Sequence, residues 1–160
     1  MSAIELLKKQ HQEVKKLFGK IEKAREGKEE LFEQIADQLA VHATIEEKIF
    51  YPATKSARTE ELLHEAVEEH LAVKRLIADM LKMSPEDEQF DAKVTVLKEQ
   101  VEHHVEEEEG ELFPKVQKML GKDELEDLGV AMEEMMNDLK AGGAPREAVP
   151  AETGSAAPLE

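Results

Sequence analysis

His42-Ala43-Thr44-Ile45-Glu46-Glu47-Lys48-Ile49-Phe50-Tyr51-Pro52 aligns without a gap on His104-Val105-Glu106-Glu107-Glu108-Glu109-Gly110-Glu111-Leu112-Phe113-Pro114. Both stretches read histidine, glutamate four residues on, a second glutamate, an apolar–aromatic pair and proline. Residues four apart lie one above the other on a helix, so His42 faces the same way as Glu46, and His104 the same way as Glu108. Their face is otherwise apolar: Ile35, Leu39, Ile45 and Ile49 flank the first pair, and Val94, Leu97, Val101 and Leu112 the second. A glutamate buried in such a stripe is costly unless it is paired or bound to a metal. Two of them, each beside a histidine, call for one cause.

Helical spacing extends outward from these stretches. Ile4, Leu7, His11, Val14, Phe18 and Ile21 form one face and Gly27 closes that run. Leu63, Val67, His70, Val73 and Ile77 form another, opened by Thr59 as an N-cap before Glu60 and Glu61. Pro52 is expected to end or kink the second helix. Ser84-Pro85 reads as a helix start, but register asks for a later entry near Glu88 to Phe90. A fifth helix, from about Asp123 to Lys140, carries Leu125, Leu128, Met132, Met135 and Leu139 without histidine and reads as packing. Met80, Met83 and Met136 read the same way. The expected fold is all-α: an antiparallel up-down-up-down four-helix bundle over residues 1–140 with an additional C-terminal helix. Residues 141–160, rich in Ala, Gly and Pro and without apolar periodicity, read as a flexible, disordered tail.

Composition agrees. The 160 residues are 41% hydrophobic, 36% charged and 4% aromatic, a mix that suits helices and leaves strands short of β-branched and aromatic residues. There is no cysteine, so any metal must be held by nitrogen and oxygen donors. The net charge of −16 repels phosphate backbones and anionic bilayers, which argues against nucleic acid and membrane as partners. No apolar run approaches the roughly 20 residues that span a bilayer, and Met1–Glu5 turns polar at once, unlike a secretory signal. The expected location is the cytoplasm.

Four histidines, His11, His42, His70 and His104, sit one per helix in mid-face. In antiparallel rods rising about 1.5 Å per residue they meet at one level. Four imidazoles and two inward carboxylates make a dinuclear site. If Glu46 and Glu108 bridge, each metal receives two nitrogens and two oxygens, and an octahedral ion keeps positions open for a bridging oxo or hydroxo, water or a small molecule. Such ligation suits two Fe ions best, with Mn or Zn as alternatives.

The two His/Glu stretches, with His11 in Gln10-His11-Gln12 and His70 in Glu69-His70-Leu71, resemble the hemerythrin-like HHE cation-binding domain, and the resemblance covers nearly all of residues 1–140. It implies a di-iron bundle in which one iron takes His11 and His42, the other His70 and His104, with Glu46 and Glu108 bridging. Oxygen-carrying hemerythrins have a further histidine one turn from the third-helix ligand. Here that position is Ala66, which implies a more open site. It favours oxygen or redox sensing, peroxide or nitric oxide chemistry, or iron handling over reversible oxygen carriage.

Other residues read more plainly. His103 points about 100° from His104 and belongs to the surface or the outer shell; it ligates with Glu107 only if the register slips. His64 reads as surface, and its ExxH with Glu61 as chance. Glu106, Glu107 and Glu109 read as a solvated face or a metal entry path. Tyr51 either hydrogen-bonds near the site or caps the bundle end. Buried Glu46 and Glu108 are expected, without metal, to have raised pKa values or to admit water. The expected ligands are O2, peroxide or NO, bound or turned over, and the 141–160 tail is a candidate docking peptide for a protein partner.

Overall fold

The computed structural model describes residues 1–159, and among them every regular element is helical. Helix α1 runs Ala3–Lys23, with the Ser2 hydroxyl accepting from the Glu5 N–H at its start. The second rod is α2 (Lys28–Ile45), a π-helical turn (Glu46–Phe50) and α3 (Tyr51–Thr54). Helix α4 is Glu60–Leu81. The fourth rod is α5 (Phe90–Glu107), a second π turn (Glu108–Leu112) and α6 (Phe113–Met119). Helix α7 (Lys122–Ala141) packs on α1 and α2. The late entry of the fourth helix at Phe90 is as the register required.

Two expectations change in mechanism. Pro52 does not end its helix: the chain stays helical to Thr54. The π turn is the reason. Tyr51 N–H reaches back five residues to Glu46 O, and Phe113 N–H to Glu108 O, so each proline follows an already widened turn in which its missing N–H is tolerated. The extra residue also rotates the phase, which lets the consecutive pairs Phe50–Tyr51 and Leu112–Phe113 all be buried. Thr59 does precede α4, but its hydroxyl makes no cap there; it donates to Thr54 O at 2.6 Å.

The core is two apolar clusters with a polar layer between them. One gathers Ile4, Leu7, Ile45, Phe50, Leu63, Val67, Phe113 and Val116. The other gathers Val14, Phe18, Ile35, Ile77, Met80, Phe90, Leu97 and Val101. Each such side chain contributes about 1.5–3 kcal/mol by leaving water. Along every rod the histidine falls between the two sets, so burial of the clusters fixes all four imidazoles at one height.

The segment after α7 is packed, which corrects the expectation of a disordered tail. Pro145–Glu152 forms a 3-10 helix against α2 and α4. At three residues per turn, Arg146, Val149 and Glu152 share one face. Arg146 binds Asp37 at 2.9 Å and Glu33 at 2.7 Å, Val149 is buried, and Glu152 meets Lys74 at 3.0 Å. Arg75 Nε donates to Thr153 O at 3.0 Å, Lys55 Nζ donates to Leu159 O at 3.2 Å, and the Leu159 side chain is buried. Of the three anchors only Val149 is apolar, so no apolar periodicity marks the segment in the sequence.

Candidate metal centre

The polar layer brings together all six residues singled out in the sequence. His11, His42, Glu46, His70, His104 and Glu108 are each buried. Ligating atoms of His42, Glu46, His104 and Glu108 lie within 4.8 Å of one another. The imidazoles pair as His11 with His42 (ring centroids 5.0 Å apart) and His70 with His104 (4.7 Å). Each glutamate touches both pairs. Glu46 Oε1 lies 3.0 Å from His42 Nε2 and 3.0 Å from His70 Nε2. Glu108 lies 3.1 Å from His11 Nε2 through Oε1 and 3.3 Å from His104 Nε2 through Oε2.

Each ring is held from behind. Nδ1 of His11 faces Glu109 at 2.6 Å, that of His42 faces Gln10 Oε1 at 2.7 Å, that of His70 faces Glu47 at 2.7 Å, and that of His104 faces Glu69 at 2.7 Å. Oxygen acceptors fix the proton on Nδ1 and leave the Nε2 lone pair pointing inward. The pattern has two-fold symmetry. Gln10 and Glu69, which precede the histidines of α1 and α4, hold the histidine of the following rod. Glu47 and Glu109, which follow the bridging-position glutamates, hold the histidines of α4 and α1.

The result is a cluster of inward lone pairs that the single Tyr51 hydroxyl satisfies only in part. His70 and His104 Nε2 are 3.2 Å apart. His42 Nε2 and Glu46 Oε2 are buried with no hydrogen-bond partner. Only cations resolve such an arrangement, as protons or as metal. Burial by itself would lower His42, but Glu46 and Glu108 overcome it and hold it up to about 9; His104 is likewise raised well above its ordinary value. The glutamates move the other way. Burial and their mutual repulsion would raise Glu46, but His42 and His104 pull it down to about 2, and Glu108 is also lowered. The expectation of raised glutamate pKa values is thereby corrected: it weighed burial without the imidazoles opposite. Four nitrogens and two carboxylates aimed at one volume fit a pair of metal ions.

Tyr51 enters the centre. Its hydroxyl donates to Glu108 Oε2 at 2.6 Å and lies 3.3 Å and 3.4 Å from Nε2 of His70 and His104. Its ring stacks on His70 at 5.5 Å. Phe113, its counterpart in the repeat, stacks on His11 without a polar atom. A phenol therefore stands against His70, while a cavity lined by His11, His42, His70 and His104 leaves the centre accessible from another side. Burial and the two carboxylates raise the Tyr51 pKa, so it keeps its proton in this arrangement.

His103 is 62% exposed, 3.0 Å from Glu107, and His64 is 63% exposed, so neither reaches the centre. Glu109, expected on a solvated face, is instead half-buried against His11. Sequence reasoning also missed Glu47, Glu69 and Gln10 as partners of the rings. The gapless repeat held the signal: Glu46-Glu47 and Glu108-Glu109 double the glutamate at the same place. Lys74, buried between Glu47 (2.9 Å) and Glu152, carried no such sign.

A family model described as the hemerythrin HHE cation binding domain matches residues 2–116. The crystal structure of a hemerythrin HHE cation binding domain-containing protein from Mycobacterium kansasii superposes with a TM-score of 0.78 at 28% identity, covering 89% of each chain. A protein of Nostoc sp. (strain PCC 7120) named a DNA nickase is 29% identical over 128 residues, which are 79% of this chain and 36% of that relative's length.

Proposed function

Because the chain belongs to the hemerythrin HHE cation-binding domain family, we propose that it is a non-haem di-iron protein that binds O2 or a related small oxidant. The observation that carries this is the ring geometry: four imidazoles pinned through Nδ1 to oxygen acceptors, with four Nε2 atoms converging on two carboxylates that each touch both pairs. His11 and His42 would hold one iron, His70 and His104 the other, with Glu46 and Glu108 shared and an oxo or hydroxo bridge between the ions. Bound iron would supply redox chemistry and a coordination site for the small molecule.

The chain's own residues set the conditions. Glu109, Gln10, Glu47 and Glu69 fix the tautomers and raise ring basicity. Apolar clusters flank the layer on either side. Tyr51 holds a proton at Glu108 Oε2, inside the centre. That proton donor favours, as a second reading, turnover of peroxide or nitric oxide over simple binding. Nicking of DNA, named for the Nostoc relative, does not transfer: a net charge of −16 opposes approach to a phosphate backbone.

Iron-loaded protein exposed in turn to O2, peroxide and nitric oxide tests both readings. A reversible spectral change without consumption supports binding. Steady consumption proportional to protein supports turnover. No response to any of the three, with two irons bound, overturns the proposal.

A further inference from the structure

A cavity of about 780 Å³ opens directly onto the imidazole cluster; His11, His42, His70 and His104 line it. Dioxygen, peroxide or nitric oxide needs a passage of atomic width, whereas this volume lies in the range of cavities that bury drug-sized molecules. The bundle side joins an aliphatic stretch, Leu39, Val73, Ile77, Val101 and Val105, to polar Gln10, Gln38, Thr44 and Lys48, and among the described residues no Phe or Tyr lines it.

The opposite wall is the C-terminal segment, and its composition explains why the space is left unfilled. Gly142, Gly143, Ala148, Ala151, Ala156 and Ala157 line the cavity with almost no side-chain volume. Anchors at Arg146, Val149 and Glu152 pin the segment to α2 and α4 between them. A roof made this way leaves space between itself and the bundle. The charged groups nearest the rings are already engaged: Lys74 sits between Glu47 at 2.9 Å and Glu152 at 3.0 Å. A charged ligand placed against the rings would have to break that pairing, at the cost of desolvating its own charge.

We propose that this cavity is a binding site for an uncharged aliphatic molecule, held between the C-terminal roof and the bundle with one end against the imidazole cluster. The site makes the protein a binder of two ligands, a small oxidant and an organic partner, side by side. The inference rests on the di-iron reading only for the meaning of that proximity. Binding itself depends on the cavity.

The test uses the full chain with its metal content assayed, and 1-octanol as probe with octanoate as its charged counterpart. Titration calorimetry is expected to show saturable binding of one octanol per chain, with octanoate weaker. Methyl NMR is expected to show octanol shifting Leu39, Val73 and Val105 while Leu125 and Val130 stay unmoved. Ala148→Trp and Ala156→Trp fill the chamber from its roof and are expected to weaken octanol by about tenfold or more. If they do not fold, the methyl map decides. Absence of saturable binding, shifts confined to other methyls, octanoate binding as tightly as octanol, or folded tryptophan variants that bind like the parent would each overturn the site. Octanol binding by protein that takes up no iron would leave the cavity standing and remove the metal reading. Two irons without octanol binding would do the reverse.

Discussion

Stripped of metal, the protein is expected to lose stability as the pH rises from about 6.5 to 9. In the folded chain the His42 pKa is held up to about 9 from an ordinary value of 6.5, because Glu46 and Glu108 more than offset burial. A group whose pKa is raised by folding stabilises the native state fully below its unfolded pKa. That contribution fades as the pH climbs through the folded pKa, since across this window the native state binds the extra proton. At about 1.4 kcal/mol per pH unit the His42 term is worth about 3 kcal/mol, with His104 adding in the same direction. Against a typical total of about 5–15 kcal/mol the loss is readily measured. Urea unfolding of chelator-stripped protein between pH 6 and 9.5 reads it. The iron-loaded protein is expected to show no such alkaline slope, because metal replaces the protons on Nε2. On the acid side Glu46, held down to about 2 from 4.5, stabilises above 4.5 and loses its contribution as the pH falls toward 2. A metal-free stability that is flat or rising from pH 6.5 to 9.5 would refute the claim that protons stand in for metal among these lone pairs.

Other perturbations separate the roles of neighbouring residues. Glu46→Ala or Glu108→Ala is expected to lose or unbalance the metal pair, measured as metal per chain. Glu47→Ala, which removes the acceptor behind His70 and strands Lys74, is expected to weaken metal affinity by about 10–100-fold, while Glu106→Ala on the exposed face leaves it unchanged in the same titration. Tyr51→Phe removes a hydrogen bond to a buried carboxylate and is expected to lower metal-free stability by about 2 kcal/mol in urea unfolding. Gly129→Ala should invert a common rule. Alanine normally stabilises a helix interior by about 1 kcal/mol over glycine, but here its Cβ would lie 2.2 Å from the Met1 carbonyl oxygen. Thermal unfolding is expected at a lower temperature, and an equal or higher Tm would show that α7 is free to move away from α1.

Much of this architecture is legible in the chain, and the exceptions have physical causes. One histidine per amphipathic face, with two glutamates a turn away, located the polar layer because helical period and burial leave little freedom. Pro52 misled because a proline rule assumes a regular α-helix, and here it follows a π turn. Residues 141–159 were misread because their anchors are mostly ion pairs and backbone acceptors, with only Val149 and Leu159 as buried apolar side chains, too few to make an apolar pattern. Gln10, Glu47, Glu69 and Glu109 were missed for another reason. Which acceptor lies behind an imidazole depends on how neighbouring rods cross, and spacing within a single helix does not encode that. The direction of the glutamate pKa values turned on the same cross-rod contacts.

Anomalous diffraction at the iron edge on crystals of iron-loaded protein measures the central claim most directly. Two iron peaks are expected in the polar layer, one beside His11 and His42 and one beside His70 and His104, with Glu46 and Glu108 reaching both. A single peak, peaks at His103 and Glu107, or no iron among the four Nε2 atoms would contradict it.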